Sequence, residues 1–125
     1  MVLKKLTTLF VVDRIEACLP QWEGLGFSIV DRVPESGPAV FVILHGAAGN
    51  VMLQTRESLA EDLPDIAARR PGSLLYAEVA SLAEARKALH GATVIIAERK
   101  TFYGATESWV ELEGGIFLGL SQHAD

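Results

Sequence analysis

Between positions 106 and 112 the chain reads Thr-Glu-Ser-Trp-Val-Glu-Leu. Strand alternation puts Glu107, Trp109 and Glu111 on one side and Val110 and Leu112 on the other. Two carboxylates flanking an indole suit a flat or cationic compound, because the ring face stacks on planar groups and attracts positive charge. The same sorting adds candidates from other segments. In 74–78, Leu74, Tyr76 and Glu78 share a side; in 39–45, Phe41, Ile43 and His45 do; in 50–54, Asn50, Met52 and Gln54 do. Phe102 and Tyr103 precede the 106–112 strand in a loop that can close over a mouth. The expected ligand-binding set is Phe41, His45, Gln54, Tyr76, Glu78, Tyr103, Glu107, Trp109 and Glu111.

Each residue also has a plainer reading. Trp109 suits an exposed face or a dimer interface, and Phe41 and Ile43 suit a collapsed core. Glu107, Glu111 and Glu113 suit a solvated edge. His45 precedes a glycine turn, as surface histidines often do, and His90 complements a helix C-terminus. His123 falls in the tail, and Trp22 suits the core face of a helix. A His45–Glu111 pair would be enough for proton transfer. Such pairs arise by chance among three histidines and sixteen acids. No Ser–His–Asp order, HExxH, phosphate loop or dinucleotide fingerprint is present. No catalytic residue is assigned.

The elements that must position these groups follow from periodicity and turn chemistry. Strands are expected at 6–12, 27–33, 39–45 and 51–55, with a helix over about 14–24 capped by Asp13. Ile15, Cys18, Leu19 and Trp22 fall on one face of that helix. Ser58-Leu-Ala-Glu61 has capping-box spacing and starts a short helix limited by Pro64. The order then repeats: a strand at 74–79, a helix over about 82–90 capped by Ser81, and strands at 92–98, 106–112 and 116–122. The offset that carries Val12 to Val79, 67 residues, also carries Ile15 to Leu82, Cys18 to Ala85, Trp22 to Leu89 and Gly24 to Gly91. The chain therefore reads as a single domain with two βαβββ units, at about 3–56 and 73–122, joined by a linker at about 57–72.

Composition bounds the possibilities. The chain has 125 residues, half of them apolar, which is enough for a packed interior. No apolar run is long enough for a transmembrane helix. The start reads as a first strand and not a signal peptide, because Asp13 and Arg14 end its apolar run. The single cysteine, Cys18, excludes an internal disulfide; it reads as a small buried residue and fits a reducing cytoplasm. A net charge of −5 argues against nucleic acid as a partner.

Two βαβββ units in a chain this short resemble the vicinal oxygen chelate superfamily, which includes glyoxalase I, extradiol dioxygenases, fosfomycin-resistance enzymes and bleomycin-resistance proteins. Val12-Asp13-Arg14-Ile15-Glu16-Ala17, then Trp22 and Leu25-Gly26-Phe27, look like its opening motif. Val79-Ala80-Ser81-Leu82-Ala83-Glu84-Ala85 looks like its second helix start. Phe102-Tyr103-Gly104-Ala105-Thr106-Glu107 looks like its G-x-x-E strand entry, and Glu113-Gly114-Gly115-Ile116 stands at its D-P-D-G turn. Gln21-Trp22 replaces the usual Phe-Tyr, and the turn has lost its proline.

The resemblance implies an α+β fold in which two βαβββ units form a curved mixed eight-stranded sheet around a cleft. It also implies a homodimer. Its metal ligands would fall on Leu6 or Thr7, Met52, Leu74 and Leu118, which are aliphatic, thioether or hydroxyl groups and not the usual His, Glu or Gln. No metal or other cofactor is therefore expected. The chain is closest in character to the metal-free bleomycin-resistance branch. The function expected first is sequestration of an aromatic or cationic compound, such as an antibiotic, in a dimer cleft. The alternatives are an enzyme of this fold acting on a small oxygenated metabolite, and a dimerisation or regulatory module without a ligand.

Overall fold

The structure is a computed structural model and describes residues 2–123. The described residues form β1 (Leu3–Val12), α1 (Ile15–Gly24), β2 (Ser28–Val33), β3 (Phe41–Gly46) and β4 (Gly49–Thr55). Two short helices follow, α2 (Arg56–Asp62) and α3 (Pro64–Ala67). The order then repeats as β5 (Ser73–Val79), α4 (Leu82–Ala88), β6 (Thr93–Lys100), β7 (Ala105–Leu112) and β8 (Ile116–His123). The class is α+β, as expected. The chain divides into two compact units, Thr8–Ser73 and a C-terminal unit that starts at Leu74 and also takes the residues up to Thr7.

In the N-terminal unit the strand order is β2-β3-β4-β1. β1 runs parallel to β4, and the other neighbours are antiparallel. The helical spacing of Ile15, Cys18, Leu19 and Trp22 gives α1 one apolar face. That face packs on Val42, Leu44 and Leu53, which point to one side of their strands. Trp22 sits between Phe10 and Phe27, with ring centroids 5.8 and 5.3 Å away. Cys18 is half-buried at this core and donates to the Arg14 carbonyl at 3.4 Å.

The C-terminal unit repeats the plan, with strand order β5-β8-β7-β6, β5 parallel to β8 and the remaining pairs antiparallel. Leu82, Ala85 and Leu89 of the α4 region pack on Ala77, Val79, Val110, Leu118 and Leu120. The offset of 67 carries the end of β1 to the end of β5 and the first residue of α1 to the first residue of α4. Val110 and Leu112 face α4, as alternation predicts.

Several local expectations need correction. Asp13 does not cap α1; the N-cap is Arg14, without a side-chain cap, and Asp13 pairs with Arg56 at 3.2 Å. The α2 cap is Thr55, whose hydroxyl accepts from Ser58 N–H at 3.1 Å, so Ser58 lies inside the helix it was expected to start. Pro64 does end α2, but it also opens α3, because a proline is well placed where a helix N–H has no partner. Ser81 caps α4 as expected and accepts from Glu84 N–H at 3.2 Å. β6 runs on to Lys100, and His123 belongs to β8 instead of a loose tail.

These caps give a direct check by urea denaturation. Thr55→Ala and Ser81→Ala should each lose about 1 kcal/mol, the usual value of a hydroxyl N-cap. Asp13→Ala should leave the midpoint unchanged, because it breaks only an exposed surface pair.

Candidate binding site

The C-terminal unit gathers its polar side chains on the side of the sheet away from α4. The registers align two rows across it. Tyr76, Gly119 and Trp109 are neighbours on β5, β8 and β7, with Ile96 of β6 beside Trp109. One step along, Glu78, Ser121 and Glu107 are neighbours, with Arg99 of β6 beside Glu107. Glycine at 119 lets the indole lie down across β8. A Cβ there would stand 2.5 Å from Trp109 Cζ2.

Lying flat, the indole points its N–H at Glu107 Oε1, 3.0 Å away. The Arg99 guanidinium donates to the same oxygen at 3.0 Å. Glu107 Oε2 accepts from the Tyr76 hydroxyl at 2.8 Å and from the Tyr103 hydroxyl. Tyr76 has one proton, which goes to the carboxylate, so its oxygen accepts from the Ser121 hydroxyl at 2.8 Å. Glu107 is 0% exposed and Trp109 2%. Around the cluster, the Tyr76 and Trp109 centroids lie 6.3 Å apart and those of Tyr103 and His123 6.4 Å. His123 Nε2 lies 3.4 Å from Ser121 Oγ and 3.7 Å from Glu78 Oε1.

Burial alone would push the Glu107 carboxyl up. The hydrogen bonds from Tyr103, Trp109 and Tyr76 and the charge of Arg99 outweigh it and hold the pKa below the ordinary carboxylate value. The phenols move the other way. Burial, with the hydrogen bond to Glu107, pushes Tyr103 up to about 12, against the lowering effects of Tyr76 and Arg99. Burial likewise raises Tyr76. At neutral pH Glu107 is therefore an anion facing the Arg99 cation, and both phenols are neutral.

The structure brings together Tyr76, Tyr103, Glu107 and Trp109 from the sequence-derived set, with Glu78 at the rim through His123. Glu111 follows Trp109 on the same side of β7 by alternation and is half-buried. Phe41, His45 and Gln54 lie in the N-terminal unit. Phe41 and Gln54 are cross-strand neighbours, and Gln54 donates to Ser58 Oγ at 3.0 Å. His45 is exposed and bonded to Asn50 Oδ1 at 2.5 Å. The solvated-edge reading of Glu107 and the exposed-face reading of Trp109 are both overturned by their burial. Within this unit the aromatic and acidic groups close on one another. A separate shallow cavity of about 380 Å³ lies at the end of α4, lined by 88–92, Leu112 and Glu113. Sequence reasoning missed Arg99, Ser121 and Gly119. The available signal for the last two was their alternation with Leu118 and Leu120 on one strand.

No protein-family model matches the chain. No curated protein matches it in sequence. Solved structures do match. A glyoxalase/bleomycin resistance protein/dioxygenase superfamily member from Vibrio splendidus 12B01 has a TM-score of 0.69 and 15% identity, over 94% of this chain and 97% of that one. The chain has the glyoxalase/bleomycin-resistance fold. Methylmalonyl-CoA epimerase from Mycobacterium tuberculosis gives a TM-score of 0.68 and 16% identity, over 99% and 91%. The hypothetical protein BH1468 from Bacillus halodurans C-125 gives 0.69 and 16%, over 95% and 93%. At such identities the likeness concerns the glyoxalase/bleomycin-resistance fold and not an activity.

The positions at which that fold implies a metal do not fit one. Met52, Leu74 and Leu118 are buried and carry no hard or borderline donor. The position expected at Leu118 is corrected: Leu118 lies in the core under α4, and the counterpart of Met52 is Gly119, which carries no side chain at all. Among the described residues no group of three or more His, Cys, Asp or Glu could hold a metal ion. No helix among them is long and apolar enough to cross a membrane.

Two measurements check the cluster. Gly119→Ala should cost about 1–3 kcal/mol through overpacking, with a change in the near-ultraviolet tryptophan signal, because the indole must leave its place. The stability that Glu107 contributes is full above its ordinary value of 4.5 and is lost as the pH falls through its lower folded value. That of Tyr103 is full below 10.0 and is lost as the pH rises towards about 12. A plot of melting temperature against pH should therefore flatten on the acid side in Glu107→Gln and on the alkaline side in Tyr103→Phe. At neutral pH Glu107→Gln should lose about 3 kcal/mol, because a neutral amide replaces the buried charged acceptor of Arg99, Tyr76, Tyr103 and Trp109.

Proposed function

We propose that this protein is a metal-free small-molecule binding protein of the glyoxalase/bleomycin-resistance type, and that its ligand is a planar aromatic compound held at the Glu107 cluster of the C-terminal unit. The observation that carries this is the saturation of Glu107. A carboxylate offers about four lone-pair sites, and Tyr76, Tyr103, Trp109 and Arg99 are directed at them. A group so occupied cannot take a proton from a substrate in the way a general base must. It is suited to orient aromatic surface, and three of the four donors carry that surface themselves.

The aromatic half of the expectation is better supported than the cationic half. Arg99 already balances Glu107, so a cation at this carboxylate would meet an existing positive charge. A planar aromatic antibiotic is one compound of this kind. Phe41, His45, Gln54, Glu78 and Glu111 remain proposed contributors to binding. We further assign a homodimer and a cytoplasmic location. The homodimer is supported by the exposed apolar side chains Leu6, Leu25 and Val30, and the location by the free thiol of Cys18.

Isothermal titration of the wild-type chain with phenol, indole, 2-naphthol and benzylamine tests the reading. Saturation at one planar ligand per chain is expected without any product forming, and Glu107→Gln should weaken binding by at least about tenfold, a difference of about 1.4 kcal/mol. Turnover of a small oxygenated metabolite would replace sequestration by the enzymatic alternative. Sedimentation of the free protein should give twice the chain mass.

A further inference from the structure

We propose that Tyr103 is an internal stand-in for the ligand, occupying the place that the hydroxyl or ring N–H of a neutral aromatic compound takes at Glu107. The inference rests on the Glu107 cluster being the binding site, and it names the chemical class that the site accepts and the residue that must leave.

The donors to Glu107 are not equivalent. Tyr76, Arg99 and Trp109 stand on β5, β6 and β7, within paired strands. Tyr103 alone among the four comes from the turn between β6 and β7. The base of that turn is pinned: Thr101 N–H donates to the Ala105 carbonyl at 2.9 Å, and Ala105 N–H donates to Thr101 Oγ1 at 3.0 Å. Between these anchors lie Phe102, Tyr103 and Gly104, the glycine with φ of +83°. Tyr103 is 46% exposed although the carboxylate it reaches is 0% exposed. Its ring is therefore the part of the cluster that can be exchanged for another ring without breaking a strand pair.

The exchange leaves a coherent site. Oε1 keeps Arg99 and Trp109, and Oε2 keeps Tyr76, so the carboxylate is never stripped in a desolvated place. Only one acceptor position opens, and it is shaped for one neutral donor on a flat ring. A phenol or indole refills it with the charge count unchanged, whereas an ammonium adds a positive charge beside Arg99. The surrounding groups fit the same occupant. His123 lies beside the ring at 6.4 Å. Phe102 meets it edge-on at 5.1 Å and is 94% exposed at the tip of the turn. A phenyl held in water gains nothing from burial there; against a ligand ring it would gain an aromatic contact.

The test is side-chain rescue. Tyr103→Ala removes the phenol, and p-cresol, toluene and benzylamine are added separately at millimolar concentration. The readouts are the melting temperature and the Trp109 indole N–H resonance in a ¹⁵N spectrum, since that proton donates to Glu107. We expect p-cresol to restore about half or more of the lost melting temperature by binding the native state, and to shift the Trp109 resonance back towards its wild-type position. Toluene and benzylamine should each bind at least about fivefold more weakly. A folded variant unaffected by p-cresol overturns the stand-in. Toluene equal to p-cresol overturns the donor requirement, and benzylamine tighter than p-cresol overturns the neutral class. If Tyr103→Ala does not fold, Tyr103→Phe decides, because it keeps the ring and loses the latch. p-Cresol should then bind it at least about threefold more tightly than wild type, and equal or weaker binding overturns the proposal. Planar ligands that bind wild type through Glu107 without rescuing Tyr103→Ala would sink only the stand-in. Failure of every probe on both proteins would remove the site itself.

Discussion

A carboxylate taken out of water loses several kcal/mol of hydration, and an interior tolerates it only when hydrogen bonds and an opposite charge replace what water supplied. Glu107 of the C-terminal unit is in that position, with no exposed surface and donors from three strands and one turn. Much else in the unit follows. Arg99 must stand opposite Glu107 on β6, and Tyr76 must reach across β8 from β5. Position 119 must carry no side chain, since the indole can donate to Glu107 only by lying over it. Moving any of these strands by one residue would turn the donors to the other face and leave a buried charge.

The N-terminal unit, built on the same strand plan, shows what the sheet does without that charge. The 67-residue offset places Met52 where the C-terminal unit has Gly119, and Gln54 where it has Ser121. With no tryptophan to lay across the strand, a glycine is not required and a thioether fills the space. The amide of Gln54 is satisfied locally by Ser58. The helix-side cores of the two units are alike in kind: an apolar helix face on alternate aliphatic residues of its strands. The units therefore differ where chemistry is possible and agree where packing alone operates.

The glyoxalase/bleomycin-resistance fold does not name an activity. What bears on activity here is the character of the side chains. Aliphatic and thioether groups at Met52, Leu74 and Leu118 offer a divalent ion nothing to bind. The Glu107 cluster instead offers aromatic faces and an ionised carboxylate already neutralised by Arg99. On the function proposed for it, selection at this site rests on ring shape and on the position of one donor, because a buried acceptor left without its donor is costly.

The order of the strands and the longer helices, the face each presents and the cap at Ser81 were legible in the sequence. They depend on periods of two and of 3.6 residues and on contacts within a turn, all local along the chain. So were the aromatic and acidic residues of β5 and β7, since alternation alone sorts Tyr76, Glu107 and Trp109 to one side. Tertiary structure decided the rest. Whether Glu107 faces water or four donors depends on which residues of β5, β6 and β8 stand opposite it, and register is a property of pairs of strands. Arg99 has nothing in its own neighbourhood to mark it, and alternation gives Ser121 a face but no partner. Local sequence also could not choose between Asp13 and an uncapped start for α1, because Arg56, 43 residues further on, takes the aspartate. The sequence determined which groups are present and on which face they fall. Only folding decided which of them meet, because every meeting at Glu107 other than its bonds from Trp109 and Tyr103 crosses from one strand to another.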